Sequence, residues 1–314
     1  MLPTVFYGSM LIAWSPLAVM IVAVLAFHPT LAMITMASAF VALLPVQFTS
    51  FVYLTAIAVG DPDADVASFS SDVVRHADAG RWAMVLLGVA FQELTRALLC
   101  YALVRAEWYF RGHHQVLFAS RFRLLPVGAA VGVGMALTLS VLPMGAVLAS
   151  SIALDDAAVF SRDGEATMYN MDACPQLPYL AFMALSWCFM TVAQVAWSVV
   201  TIASVAALIG RIDEPEVTTS PIPRLARRPI PLPTTLLMTS DGVCGLAYVV
   251  ALHALASGIS LVNTDAFDWA SAEPNARGCI VSLPTQAVVM LLSCLSCVGL
   301  TKIEAVKRID PEDL

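Results

Sequence analysis

Charge is scarce in this chain. Only 12% of its 314 residues are Asp, Glu, Lys or Arg, whereas soluble domains carry about 25%. That shortage excludes an ordinary water-facing surface. Basic residues are fewer than acidic ones, 16 against 23, and no basic groove interleaved with aromatics occurs, so nucleic-acid binding has no support. Histidine is also scarce, with five in the chain and only His253 inside an apolar segment. A zinc hydrolase needs three or four ligands, and there is no HExxH, so no metal site or other cofactor is expected. The GxSG of a rhomboid-like serine protease and the GxGD of an intramembrane aspartyl protease are missing too. No catalytic residue is expected, and the chain reads as a non-enzyme. There is no Asn-x-Ser/Thr glycan acceptor. The N-terminus lacks a basic n-region and a small-x-small site, so no cleaved signal peptide is expected.

What the chain has is hydrophobic length. Apolar residues make up 59% and the mean hydropathy is +0.82. A membrane-spanning helix needs about 20 largely apolar residues. Seven such runs occur, at about 5–27, 31–59, 82–104, 125–149, 179–209, 235–262 and 280–300. The fold class is therefore an all-α polytopic membrane protein, a single seven-span domain over 1–314. Spans 2 and 5 are long enough to tilt or project, and Pro45 should kink span 2 by removing a backbone donor.

Basic residues near span ends orient a membrane protein. The segments 105–124, 210–234 and the C-terminal tail hold eleven Lys and Arg, against four in 60–81, 150–178 and 263–279. The strict alternation predicts an extracytoplasmic N-terminus and a cytoplasmic C-terminus. The proline-rich stretch "TSPIPRLARRPIPLP" then reads as an extended basic linker near anionic lipid headgroups. Of seven cysteines, Cys294 and Cys297 form a CxxC inside an apolar run and read as packing. Cys174 and Cys279 fall in extracytoplasmic segments, where a disulfide can form, although nothing in the sequence fixes their separation.

Ionisable groups inside a membrane are costly and usually face the bundle interior. Span 3 carries "FQELTR". Glu93 and Arg96 are three apart and Gln92 and Arg96 four apart, so all three are expected on one helical face. A carboxylate paired with a guanidinium is less costly to bury than either alone, which favours a helix-helix clamp over a catalytic base. Span 4, "VGAAVGVGMA", repeats small residues at Gly128, Gly132 and Ala136, a GxxxG-type stripe that lets another helix approach closely. It does not say whether that helix belongs to the same chain. Span 5 holds Gln194, span 6 holds Asp241 and His253, and span 7 holds Gln286.

With these residues placed, the chain resembles the anterior-pharynx-defective family, the seven-span scaffold subunit of γ-secretase. "VFYGSMLIAWSP" is similar to the family's first span, and "FQELTR" to its third. "RLLPVGAAVGVGMA" is similar to its fourth, "CPQLPYLAFM" to the entry of its fifth, and "LHALASGIS" to its sixth, where His253 matches a functional histidine. Two positions depart from the family. Gln194 stands where a second histidine is found, and Ala136 replaces the third glycine, adding one methyl at the contact. The resemblance implies a non-catalytic subunit that holds presenilin and nicastrin together, with the presenilin enhancer subunit joining later. The complex processes type I membrane proteins such as Notch-type receptors and amyloid-precursor-type proteins. It also implies passage from endoplasmic reticulum and Golgi to plasma membrane and endosomes. Gly128, Gly132 and Ala136 would serve assembly, and His253 with Gln194 would line an interior polar cavity.

A seven-span receptor or small-molecule transporter is the alternative. Span 3 does not end in Asp-Arg-Tyr, span 7 lacks NPxxY, and seven spans make no even repeat. A metal-dependent lipid hydrolase is a third class, disfavoured by the shortage of histidine. One covalent expectation is directly measurable. If Cys174 and Cys279 are bonded, a non-reducing mass map recovers their two peptides linked. Finding both thiols free removes the disulfide.

Overall fold

The computed structural model describes residues 2–25, 28–60, 78–112, 124–153, 177, 179–213, 242–265 and 278–307. Among them, every regular element is helical. In chain order these are α1 (Leu2–Met20), continued by a π-helical turn (Ile21–Leu25), α2 (Pro29–Val41), α3 (Leu43–Gly60), α4 (Asp78–Gly112), α5 (Leu124–Ala153), α6 (Tyr179–Asp213), α7 (Gly242–Asp265) and α8 (Gly278–Lys307). Among the described residues, seven stretches are long and apolar enough to cross a bilayer: Phe6–Ala23, Pro29–Val52, Trp82–Glu107, Leu125–Leu142, Leu180–Ile209, Gly242–Ser260 and Ile280–Leu300. Large apolar side chains such as Leu11, Met33, Phe40 and Phe51 stand exposed on the outside, as lipid-facing residues do. The chain is an integral, multi-pass membrane protein. The expected start of span 6 near residue 235 lies outside the described residues.

Span 2 is two helices, α2 and α3, interrupted at Ala42. The cause lies three residues on. Pro45 has no N–H to offer the carbonyl of Val41, so the regular ladder fails there. The interruption lets the two halves pack on different neighbours, α2 on α5 and α3 on α4. Two interhelical hydrogen bonds fix the first contact: Thr35 Oγ1 donates to the Ala130 carbonyl at 3.0 Å, and Thr138 Oγ1 to that of Ala39 at 2.7 Å. Phe48 and Phe91 meet at the second, with ring centroids 4.3 Å apart.

The bundle is organised around α6, which packs against α1, α4, α5, α7 and α8. Buried residues make up 67% of its apolar stretch, against 17% for that of α1. Only a central helix hides so much of its circumference.

The small-residue stripe of α5 explains how one neighbour comes so close. A Cβ on Gly132 would sit 2.5 Å from Val195 Cα, and one on Gly128 would sit 2.8 Å from Val199 Cα. Both are backbone atoms of α6, so the close partner is within this chain. Ala136 continues the stripe, buried beside Leu17, Val133 and Val195. Gly134 lies on the opposite face, where a Cβ would meet Ser38 Cβ at 2.7 Å, and so admits α2.

Because the obstruction at Gly132 is backbone, no rotamer change relieves it. Gly132→Leu is expected to destabilise the isolated chain by more than the roughly 1–3 kcal/mol of ordinary overpacking, read as thermal unfolding in detergent. Gly8→Ala, where a Cβ would meet nothing within 4 Å, is the silent control. Equal unfolding temperatures for wild type and Gly132→Leu would refute the contact.

Candidate functional site

Three helices converge on a buried polar cluster. The i,i+3 spacing of α4 places Glu93 and Arg96 on the side facing α6 and α7. The same spacing on α6 presents Gln194 and Trp197, and α7 supplies His253. Their exposures are 6%, 0%, 4%, 0% and 2%, so none of these groups relies on bulk water for its hydrogen bonds.

The polar groups close into a ring. Arg96 donates through one terminal nitrogen to Glu93 Oε1 and through the other to Gln194 Oε1. His253 Nδ1 lies 2.5 Å from the same Glu93 oxygen. The Gln194 amide nitrogen lies 3.5 Å from His253 Nε2. Donor and acceptor chemistry assigns every direction. A guanidinium only donates and a carboxylate only accepts. Nδ1 therefore carries the imidazole proton, Nε2 is left as acceptor, and the Gln194 NH2 points at it. Hydrogen bonds thus run from Arg96 through Gln194 and His253 to Glu93, and directly from Arg96 to Glu93. With neutral imidazole the cluster has no net charge.

Trp197 fixes the ring from one side. Its indole stacks on the His253 imidazole with centroids 4.5 Å apart and planes 30° apart. The Arg96 guanidinium carbon lies 5.8 Å from its centroid, within cation–π range. Trp197 Nε1 donates to Ser293 Oγ on α8 at 2.9 Å, and Ser293 passes its own hydrogen to the Val289 carbonyl at 2.7 Å. A second bridge joins α6 to α8, where Ser186 Oγ donates to Gln286 Oε1 at 2.8 Å.

Gln92 does not join Glu93 and Arg96, contrary to the expectation of one shared face. It lines a separate cavity of about 540 Å³ together with Ser186, Ser257 and Gln286. The reason is angular: Gln92 lies about 100° around α4 from Glu93. Glu93 faces the ring, while Gln92 faces the cavity. Gly128, Gly132 and Ala136 lie away from both sites, on the α5–α6 contact. Asp241 and Cys174 lie outside the described residues, and so does the expected Cys174–Cys279 pairing. Sequence reasoning missed Trp197 and Ser293. Trp197 had a signal, the i,i+3 spacing from Gln194. Ser293 had none, because serine in an apolar helix usually bonds its own backbone.

Chemically, this arrangement is a clamp. The Glu93 oxygen that meets α7 is the one already held by Arg96, so the carboxylate is occupied twice within the ring. In comparison with known proteins, the family model described as Aph-1 protein matches residues 4–208. That stretch covers α1 to most of α6 and includes Glu93, Arg96 and Gln194, whereas His253 and Ser293 lie beyond it. No curated protein matches the chain.

Two outcomes follow from the ring. Arg96→Met leaves the Glu93 carboxylate buried without its cation, and a loss of about 3–5 kcal/mol in unfolding free energy is expected. Adding Glu93→Gln should restore part of it, and strict additivity of the two losses would show that the pair is uncoupled. At position 194, neutral histidine offers one donor and one acceptor, as the amide does. Gln194→His should therefore unfold close to wild type, while Gln194→Leu should lose about 1–3 kcal/mol by stranding two buried partners.

Proposed function

This chain belongs to the Aph-1 family, and from that premise we propose that it is the non-catalytic scaffold subunit of a γ-secretase complex. The Aph-1 family is a component of that complex. In this reading the chain holds presenilin and nicastrin together, and the presenilin enhancer subunit joins afterwards. Presenilin supplies the catalytic aspartates for cleaving type I membrane proteins, including Notch-type receptors and amyloid-precursor-type proteins. The complex travels from endoplasmic reticulum and Golgi to plasma membrane and endosomes.

The family match carries the reading, and the internal chemistry agrees with it. The Glu93 carboxylate, both terminal nitrogens of Arg96 and the His253 imidazole are engaged within the ring, while Arg96 Nε is buried without a partner among the described residues; this leaves the groups poorly placed to act on a substrate. Their effect is to lock α4, α6 and α7 together and so to hold the outer helix faces in a constant arrangement. A scaffold needs that constancy, because partner helices in lipid associate through packing rather than through a hydrophobic force. The N-terminus faces outside and the C-terminus the cytoplasm, as the distribution of Lys and Arg directs.

Recovery in mild detergent tests the assembly role. Tagged chain should bring down presenilin and nicastrin from membranes of its own cells, and their absence from a well-folded preparation would overturn the proposal. Orientation has a separate readout. The native sequence has no glycan acceptor, so an Asn-x-Thr introduced into 150–178 should be glycosylated and one in 210–234 should not. The reverse pattern would invert the topology.

A further inference from the structure

The cavity beside the ring is not used by the clamp. It has a volume of about 540 Å³ and lies among α4, α6, α7 and α8, well inside the roughly 300–1,000 Å³ of small-molecule sites. Phe182, Trp187 and Met190 form much of its wall. Gln92, Ser186, Ser257 and Gln286 add polar atoms. Among the described residues, no Asp, Glu, Lys, Arg or His lines it.

That lining selects an occupant. The site is open on one side, so a transmembrane helix, about 10 Å across and 30 Å long, could lay side chains into it but not enter it. A phospholipid headgroup would bring its phosphate to a wall that holds no cation among the described residues, at the cost of an unpaired charge. An acylglycerol would have to freeze its flexible chains. A rigid, uncharged ring system with one hydroxyl meets neither penalty. The polar atoms suit such a hydroxyl. Ser186 already occupies Gln286 Oε1, which leaves the Gln286 amide nitrogen as a donor without a partner among the described residues. Gln92 likewise makes no hydrogen bond among the described residues. A hydroxyl is one donor with acceptor capacity. Placed between the two amides, it would accept from the Gln286 NH2 and donate to the Gln92 carbonyl oxygen, with the aromatic and methionine side chains against the rings.

We propose that this cavity is a sterol-binding site, with Gln92 and Gln286 holding the sterol hydroxyl. The site needs no partner subunit, so it stands or falls separately from assembly. The full-length chain is purified, placed in phosphatidylcholine vesicles and irradiated with a photoactivatable sterol, and labelled peptides are mapped by mass spectrometry. Label is expected on cavity-lining residues of α4, α6, α7 or α8 and should be competed away by unlabelled sterol. Ser257→Trp, which fills the space, should abolish it, and Gln92→Leu should weaken the competition. A photoactivatable phosphatidylcholine should label only outward-facing positions. Sterol label confined to outward-facing positions, or label that unlabelled sterol does not displace, would overturn the site. So would cavity labelling by the phospholipid probe, or no label at all, which would leave the cavity to water. The competition on wild-type protein decides the matter even where a variant fails to fold.

Discussion

The constraint on which the interior depends is that Glu93 and Arg96 are buried together and neither has water to turn to. Each ion loses several kcal/mol of solvation on burial, and their attraction offsets this only when the remaining donors and acceptors are also matched. Arg96 brings more donors than Glu93 can take. Gln194 accepts one, and its own amide nitrogen then needs an acceptor, which His253 Nε2 provides. The proton on His253 Nδ1 returns to Glu93. Each group is where it is because the previous one left something unpaired. That chain of needs ties three helices at one level of the bundle.

The ring does not supply most of the stability. Interhelical hydrogen bonds in membranes average only about 0.6 kcal/mol, so the three that cross between helices in the ring weigh little beside packing. The tight association comes from backbone approach at Gly128 and Gly132, where α5 lies against Val199 and Val195 of α6. Packing of this kind tolerates sliding, because one small-residue notch resembles the next. The ring does not tolerate it. A shift of α6 by one residue turns Gln194 about 100° away from Arg96. Attraction therefore comes from the stripe and register from the ring. The two are joined in sequence, since Val195 takes the glycine contact and Gln194 takes the guanidinium.

Much of this was legible in the sequence. Seven long apolar runs declare their spans because lipid allows no other backbone solution than closed hydrogen bonding. The Glu93–Arg96 pair was legible because helical periodicity is local. Partner identity was not. Gly132 and Gly134 stand two residues apart and look like one small-residue patch, yet that step turns about 200° and the two admit different helices, α6 and α2. Gln92 failed for the opposite reason: spacing put it near Arg96, but the long Arg96 side chain reaches toward Glu93 and leaves Gln92 facing the cavity. Gln194 and His253 are 59 residues apart, and only the tertiary arrangement brings them into contact.

Glutamine at position 194, where the resemblance drawn from the sequence implies a histidine, has a physical consequence. Neutral histidine and glutamine both present one donor side and one acceptor side, so either completes the ring. They differ in the second state they allow. An imidazole that gains a proton becomes a donor at both nitrogens, and one of those would then face the Arg96 guanidinium, which has only donors to offer. Glutamine has no such state within reach. This chain therefore keeps a single protonatable imidazole in the cluster, His253, and its neighbour on α6 can reverse its hydrogen-bonding direction only by turning its amide over. Turning it would set the amide NH2 against Arg96, so the guanidinium holds the amide, and the amide holds the tautomer of His253.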